Sequence, residues 1–113
     1  MSWQEINDLD EFTNDILDND QMHIVFKHSP RCGISSMVLR RFENSDFYRD
    51  SSSQMWLLDV LNSRDVSDGI AVQFNVRHES PQVLVIKNRK LIHHSSHSGI
   101  EAENVKNIIS NCQ

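Results

Sequence analysis

The chain is poor in the residues that would point to several common protein classes. Only two of its 113 residues are cysteine, Cys32 and Cys112. Two cysteines do not make a disulfide scaffold, and a reducing cytoplasm is the expected home. No long apolar run occurs, so no membrane span is expected. Met1-Ser2-Trp3-Gln4-Glu5 has neither the basic nor the apolar stretch of a secretory signal. Basic residues are outnumbered, 11 against 16 acidic, for a net charge of −5. Nucleic acid binding normally needs a basic surface, so no nucleic-acid partner is expected. There is no internal repeat and no low-complexity linker. This length suits one domain over residues 1–113 with its own core.

What is present is an alternation of apolar runs and helical periods. Asp8 and Glu11 form a candidate capping box, followed by Leu9, Phe12 and Ile16 on one helix face. The acidic side chains of that helix (Asp10, Glu11, Asp15, Asp18) read as solvated surface. Three short apolar runs, Met22 to Phe26, Met55 to Leu58 and Val83 to Ile86, suit strands buried on both faces. Ile34, Val38 and Phe42 recur every four residues between the first two runs. Val66, Ile70 and Phe74 do so between the second and third. Asn88-Arg89 reads as a tight turn into a returning strand, Lys90 to His94. Ser98 and Glu101 form a second candidate capping box ahead of Ala102, Val105 and Ile108. A strand at Trp3 to Ile6 is weakly signalled. Strands alternating with helices imply a mostly parallel sheet with right-handed crossovers, closed by an antiparallel hairpin. The expectation is an α/β thioredoxin-like fold, a mixed sheet flanked by helices, with an extra N-terminal βα unit.

Pro30-Arg31-Cys32-Gly33-Ile34-Ser35 lies where the first run gives way to a helix. Backbone N–H groups at a helix start have no intrahelical partner, and the positive end of the helix dipole lies there. Both favour a thiolate, and Arg31 adds a nearby positive charge. A free cysteine commonly ends as a buried, inert hydrophobe. Against that, Pro30 cannot continue a strand ladder and turns the chain outward. Ser35 lies one helical turn beyond Cys32, so its hydroxyl can donate to the thiolate. It cannot resolve a disulfide, although it also fits an ordinary first-turn serine. Cys112, past the last helix, reads as a bland terminal thiol or as a resolving thiol in a flexible tail.

Glu79-Ser80-Pro81 precedes the third apolar run, and Pro81 is a candidate cis proline, with a plain trans turn as the alternative. In a thioredoxin-like fold the cis form brings this loop beside the helix-start cysteine. Ser80 then presents backbone groups to an extended substrate. His93, His94 and His97 cluster in sequence, but neighbours on a strand point to opposite faces and the spacing fits no zinc pattern. No metal is expected. His97 follows the last strand and is a candidate for the cleft lining.

The whole chain resembles the monothiol bacilliredoxins, small thioredoxin-like proteins of the bacillithiol system. The resemblance lies in His28-Ser29-Pro30-Arg31-Cys32-Gly33-Ile34-Ser35, Asn62-Ser63-Arg64-Asp65-Val66-Ser67, His93-His94-Ser95-Ser96-His97 and, most specifically, Val76-Arg77-His78-Glu79-Ser80-Pro81-Gln82-Val83-Leu84-Val85-Ile86. It implies removal of bacillithiol from protein cysteines that carry it as a mixed disulfide. Cys32 matches the family's nucleophile, Ser35 the serine of its box and Pro81 the cis-proline of the fold. Implied with it are no tightly bound cofactor, bacillithiol as co-substrate, and bacillithiolated client proteins as partners. Arg31, Gly33, Ser80, Pro81 and His97 are then the substrate-binding candidates. Two positions depart from better-known members: Gly33 stands where they have proline, and Arg31 where a threonine is familiar. Gly33 moves the box toward Cys-Gly-x-Ser, which also resembles monothiol glutaredoxins that hold an iron–sulfur cluster with glutathione. A cluster-binding protein and a non-catalytic thiol sensor therefore stand beside the exchange enzyme.

Overall fold

The computed structural model describes residues 2–112; Met1 and Gln113 lie outside the described residues. The elements run β1 (Gln4–Glu5), α1 (Leu9–Glu11), β2 (His23–His28), α2 (Gly33–Glu43), α3 (Asp46–Asp50) and β3 (Gln54–Asp59). Then come α4 (Arg64–Phe74), β4 (Gln82–Lys87), β5 (Lys90–Ser96), a 3-10 turn (His97–Gly99) and α5 (Ala102–Asn111). The sheet order is β1-β3-β2-β4-β5. β1 and β2 lie parallel to β3, while β4 is antiparallel to both β2 and β5. The expected mostly parallel sheet is thus half antiparallel. The loop 75–81 returns the chain to the end of the sheet where β2 stops, so β4 enters against β2.

Side chains alternate across each strand. Ile24 and Phe26 of β2 join a core layer with Val38 and Phe42 of α2 and Val105 and Ile109 of α5. Val25 joins the opposite layer, with Phe12, Ile16, Val66 and Ile70. α4 comes so close to α1 that a Cβ on Gly69 would meet the Leu9 side chain at 2.5 Å. The hairpin turn Asn88-Arg89 holds both residues at positive φ, 53° and 65°. That backbone matches the twist of a two-residue hairpin.

Several elements differ from the pattern read in the sequence. Asp8 caps α1 by accepting from Glu11 N–H at 2.8 Å, but Glu11 reaches back to Asn7 N–H, one residue earlier than expected. After Glu11 the helix widens into π-helical turns, Phe12–Leu17. The second capping box does not form. Ile100 is buried and its carbonyl accepts from Arg41, so the chain dives inward there. Ser98 is left on the 3-10 turn, and Glu101 becomes the cap residue without a side-chain hydrogen bond. α3 was not signalled, because five residues show no helical period. It is fixed by Ser45, whose hydroxyl accepts from Tyr48 N–H at 3.1 Å, and it buries Phe47 and Tyr48.

Candidate active site

The antiparallel β2–β4 register pairs Lys27 with Gln82, and β4–β5 pairs Gln82 with Ser96. His28 pairs with Asp59 on β3. The segments after β2, before β4 and after β5 therefore meet at one end of the sheet. Cys32, Ser80-Pro81 and His97 are brought together there from three separate stretches. Cys32 is half-buried and caps α2 with extended backbone, φ −103° and ψ 119°. Its N–H donates to Ser29 C=O at 3.1 Å, and its own carbonyl accepts from Ser36 N–H at 3.0 Å. Its side chain makes no capping hydrogen bond.

Ser35 is fully buried, with its hydroxyl turned towards the end of β2. Its Oγ accepts from Ser29 N–H at 3.0 Å and lies 2.7 Å from His28 Nδ1. Burial holds the His28 imidazole below its ordinary pKa, against the pull of Asp59 and Glu43. The neutral ring and the Ser35 hydroxyl share one hydrogen bond at Nδ1, whose direction follows the ring tautomer. With the Ser29 N–H it ties Ser35 to the β2–α2 turn and braces the loop that presents Cys32. His28 was missed as a site residue; strand alternation from Ile24 and Phe26 puts it on the α2 face, which was the available signal.

Arg31 and Gly33 are exposed beside the thiol, and a Cβ on Gly33 would meet nothing within 4 Å. Further along α2, Ile34 and Met37 form an apolar pair open to solvent, 58% and 57% exposed. The Ser80-Pro81 bond is cis. His97 N–H donates to Pro81 C=O at 2.9 Å, and His97 Nδ1 lies 3.3 Å from Glu79 Oε2. A shallow cavity beside this contact is lined by Arg77, His78, Glu79, Ser80 and His97.

Cys112 is exposed at the end of α5. Ile109 and Ser110 share a cavity with Ser51, Ser52 and Ser53, which lead into β3 at the end opposite Cys32. No group of three His, Cys, Asp or Glu side chains comes together as a metal site among the described residues. No helix of the described residues is long and apolar enough to cross a membrane.

A five-stranded mixed sheet flanked by helices, with one cysteine at the helix start beside the β4 loop, defines a thioredoxin-fold domain. Solved structures agree. One is a provisionally assigned oxidoreductase with a thioredoxin fold, 30% identical over 93% of this chain and 91% of that one, with a TM-score of 0.81. Thioredoxin from Trypanosoma brucei brucei matches at 14% identity over 98% of this chain and 90% of its own, TM-score 0.77. The Malassezia sympodialis thioredoxin matches at 17% over 97% and 90%, TM-score 0.71. Within this class the chain belongs to a particular family: residues 4–105 match the model described as "Monothiol bacilliredoxin BrxC". Family and fold together support a thiol redox enzyme.

Proposed function

We propose that the protein removes bacillithiol from cysteines of client proteins by thiol–disulfide exchange at Cys32. The observation that carries this reading is the family match across residues 4–105, with Cys32 at the start of α2 inside it. The Cys32 thiolate attacks the bacillithiol sulfur of the client mixed disulfide. The S–S bond breaks, the client leaves as its thiolate, and bacillithiol is now bonded to Cys32. A second bacillithiol thiolate attacks that bond. It restores the Cys32 thiolate and departs as bacillithiol disulfide. Two electrons pass from the small thiols to the client, and no bound cofactor takes part.

Each neighbouring residue has a role in this scheme. Arg31 and the N–H groups from Gly33 to Ser35 meet the carboxylates of the small thiol, as helix starts hold anions. Ser35 holds the turn ahead of Cys32. The backbone of Ser80 and Pro81 lies against the extended client, with His97 at its edge. Ile34 and Met37 offer the client an apolar contact. The setting is the cytoplasm, with client proteins and a low-molecular-weight thiol as partners and neither nucleic acid nor membrane.

The test loads one client with bacillithiol or with glutathione and follows release. Cys32→Ser is expected to abolish release of either. Release of bacillithiol is expected to be faster at equal concentration. Equal rates, or faster release of glutathione, remove the specificity and leave the exchange. The Cys-Gly-Ile-Ser box, with open space around Gly33, also favours a cluster-binding reading. Visible absorption after anaerobic reconstitution, lost in Cys32→Ser, would favour it over exchange.

A further inference from the structure

Two fully buried polar side chains face each other across β2 and β4, and no step of disulfide exchange uses them. Lys27 and Gln82 are register partners, and both are inaccessible to solvent. Lys27 Nζ donates to Ser67 C=O on α4 at 3.0 Å and lies 3.3 Å from His78 Nδ1. Ser67 Oγ is 3.1 Å from the same ring nitrogen. Gln82 Nε2 donates to Arg77 C=O at 3.1 Å. Both side chains thus reach from inside the sheet into one loop, residues 77–81. That loop carries Ser80 and Pro81 to the end of the sheet where Cys32 sits.

An ammonium inside a protein is costly to bury, and an apolar side chain of the same length would fill this space at less cost. What an apolar side chain cannot do is donate a hydrogen bond. Facing an ammonium, His78 Nδ1 must be an acceptor, so the ring is neutral and carries its proton on Nε2. Burial and the Lys27 charge lower the His78 pKa in the same sense, while Asp68 and Glu79 oppose them. From the outer side His97 grips the same loop through Pro81 C=O and Glu79. Lys27 and Gln82 are the inner grip.

We propose that Lys27 is a positioning residue for the exchange site, which sets how a mixed-disulfide client docks by fixing the 77–81 loop through His78. It touches neither Cys32 nor the reacting sulfurs. The inference rests on the exchange reading above for its kinetic consequence, but not for the loop clamp itself.

The test uses the full chain with Lys27→Met, which keeps the length and removes the donor, with His78→Leu, and with both together. A lost hydrogen bond to a charged group corresponds to a rise in KM for the client of about tenfold. The kcat is expected to change by less than about twofold, and alkylation of Cys32 by iodoacetamide to keep its rate, because the thiol is untouched. Amide hydrogen exchange in residues 77–82 is expected to quicken by about tenfold, with β3 and α5 unchanged. His78→Leu should give the same pattern, and the double variant should add nothing. Wild-type KM and wild-type loop exchange in Lys27→Met would overturn the proposal. So would a loss of protection spread over the whole sheet. If Lys27→Met does not fold, wild-type behaviour of His78→Leu would overturn it instead. The hydrogen-exchange arm needs no turnover, so an inactive wild-type protein would defeat the exchange reading and leave the clamp to be judged separately.

Discussion

His23 and Lys27 lie on the same face of the same strand, two residues either side of Val25, and both are buried where hydrophobic residues are usual. Their surroundings differ. At the end of the sheet away from Cys32, His23 is closed in by partners that complete it. Trp56 Nε1 donates to His23 Nδ1 at 3.0 Å, and His23 Nε2 lies 2.6 Å from Asn19 Oδ1. That geometry admits a neutral ring protonated on Nε2. Each of its nitrogens is satisfied by the strand beside it or the loop ahead of it, and nothing leads from it to the site. Lys27 at the other end has the reverse character. Its partners belong to a helix and a loop, and the loop leads to Pro81. A buried polar group whose partners are all scaffold fixes the architecture. One whose partners include a loop beside a thiol can fix a function.

Five measurements would break or sharpen that contrast. The largest effect is expected for His23→Leu, which strands the buried Trp56 N–H and leaves Asn19 Oδ1 with Gln21 N–H alone. Urea unfolding should show a loss of about 2–5 kcal/mol. Exchange kinetics should stay near wild type wherever the protein is folded. A change in KM there would erase the distinction between the two ends.

The next effect is a pH dependence. Burial pulls His23 from 6.5 down to about 4, against the pull of Asp15. As pH falls from 6.5 towards 4, the unfolded chain takes up a proton that the folded chain refuses. Stability is therefore lost across that window, by up to roughly 3 kcal/mol at about 1.36 kcal/mol per unit. Lys27 acts at the other end of the scale. Burial lowers it from 10.5 to about 8, with Asp68 opposing. Between pH 8 and 10.5 the unfolded chain still holds a proton that the folded chain has released, so stability rises through that window. The wild type minus His23→Gln and the wild type minus Lys27→Met, measured by urea unfolding across pH, should isolate the two slopes. Slopes of the opposite sign would refute the burial argument.

Lys27→Met is expected to change stability at pH 7 by less than about 1 kcal/mol, because packing replaces a desolvated charge. A loss as large as that of His23→Leu would make Lys27 one more scaffold residue. The smallest effect is expected at the exposed start of α2. Gly33→Pro should raise stability by about 0.4–1 kcal/mol, since proline suits a first helical turn and the space is open. Cys112→Ser, at the opposite end of the sheet from Cys32, should leave release of the small thiol unchanged in multiple turnover.

How much of this was legible beforehand follows the same division. The four-residue spacings of Ile34, Val38 and Phe42, and of Val66 and Ile70, mark α2 and α4 because each stripe faces one core layer. The runs at 22–26, 55–58 and 83–86 mark the three central strands because both their faces are covered. Cys32 was legible from its place between a strand and a helix. Lys27 was not. It directly follows the apolar run, and a lysine there reads as the solvated end of a strand. Nothing local shows that α4 and the 77–81 loop close over it. Ser35 was legible as a neighbour of Cys32 but not as the partner of His28, because the turn between them decides where the hydroxyl points.

The sequence by itself determined the three central strands, the helices α2, α4 and α5, the thioredoxin-like class of the fold, and that one cysteine stands at a helix start. These follow from periodicity and local backbone chemistry, which act over a few residues. The tertiary structure alone decided the direction of β4, the failure of the Ser98–Glu101 capping box and the burial of Lys27 between Ser67 and His78. Each of these depends on contacts between residues far apart in the chain. Whether a lysine is solvated or enclosed is settled by what packs over it, and that is not written in its neighbours.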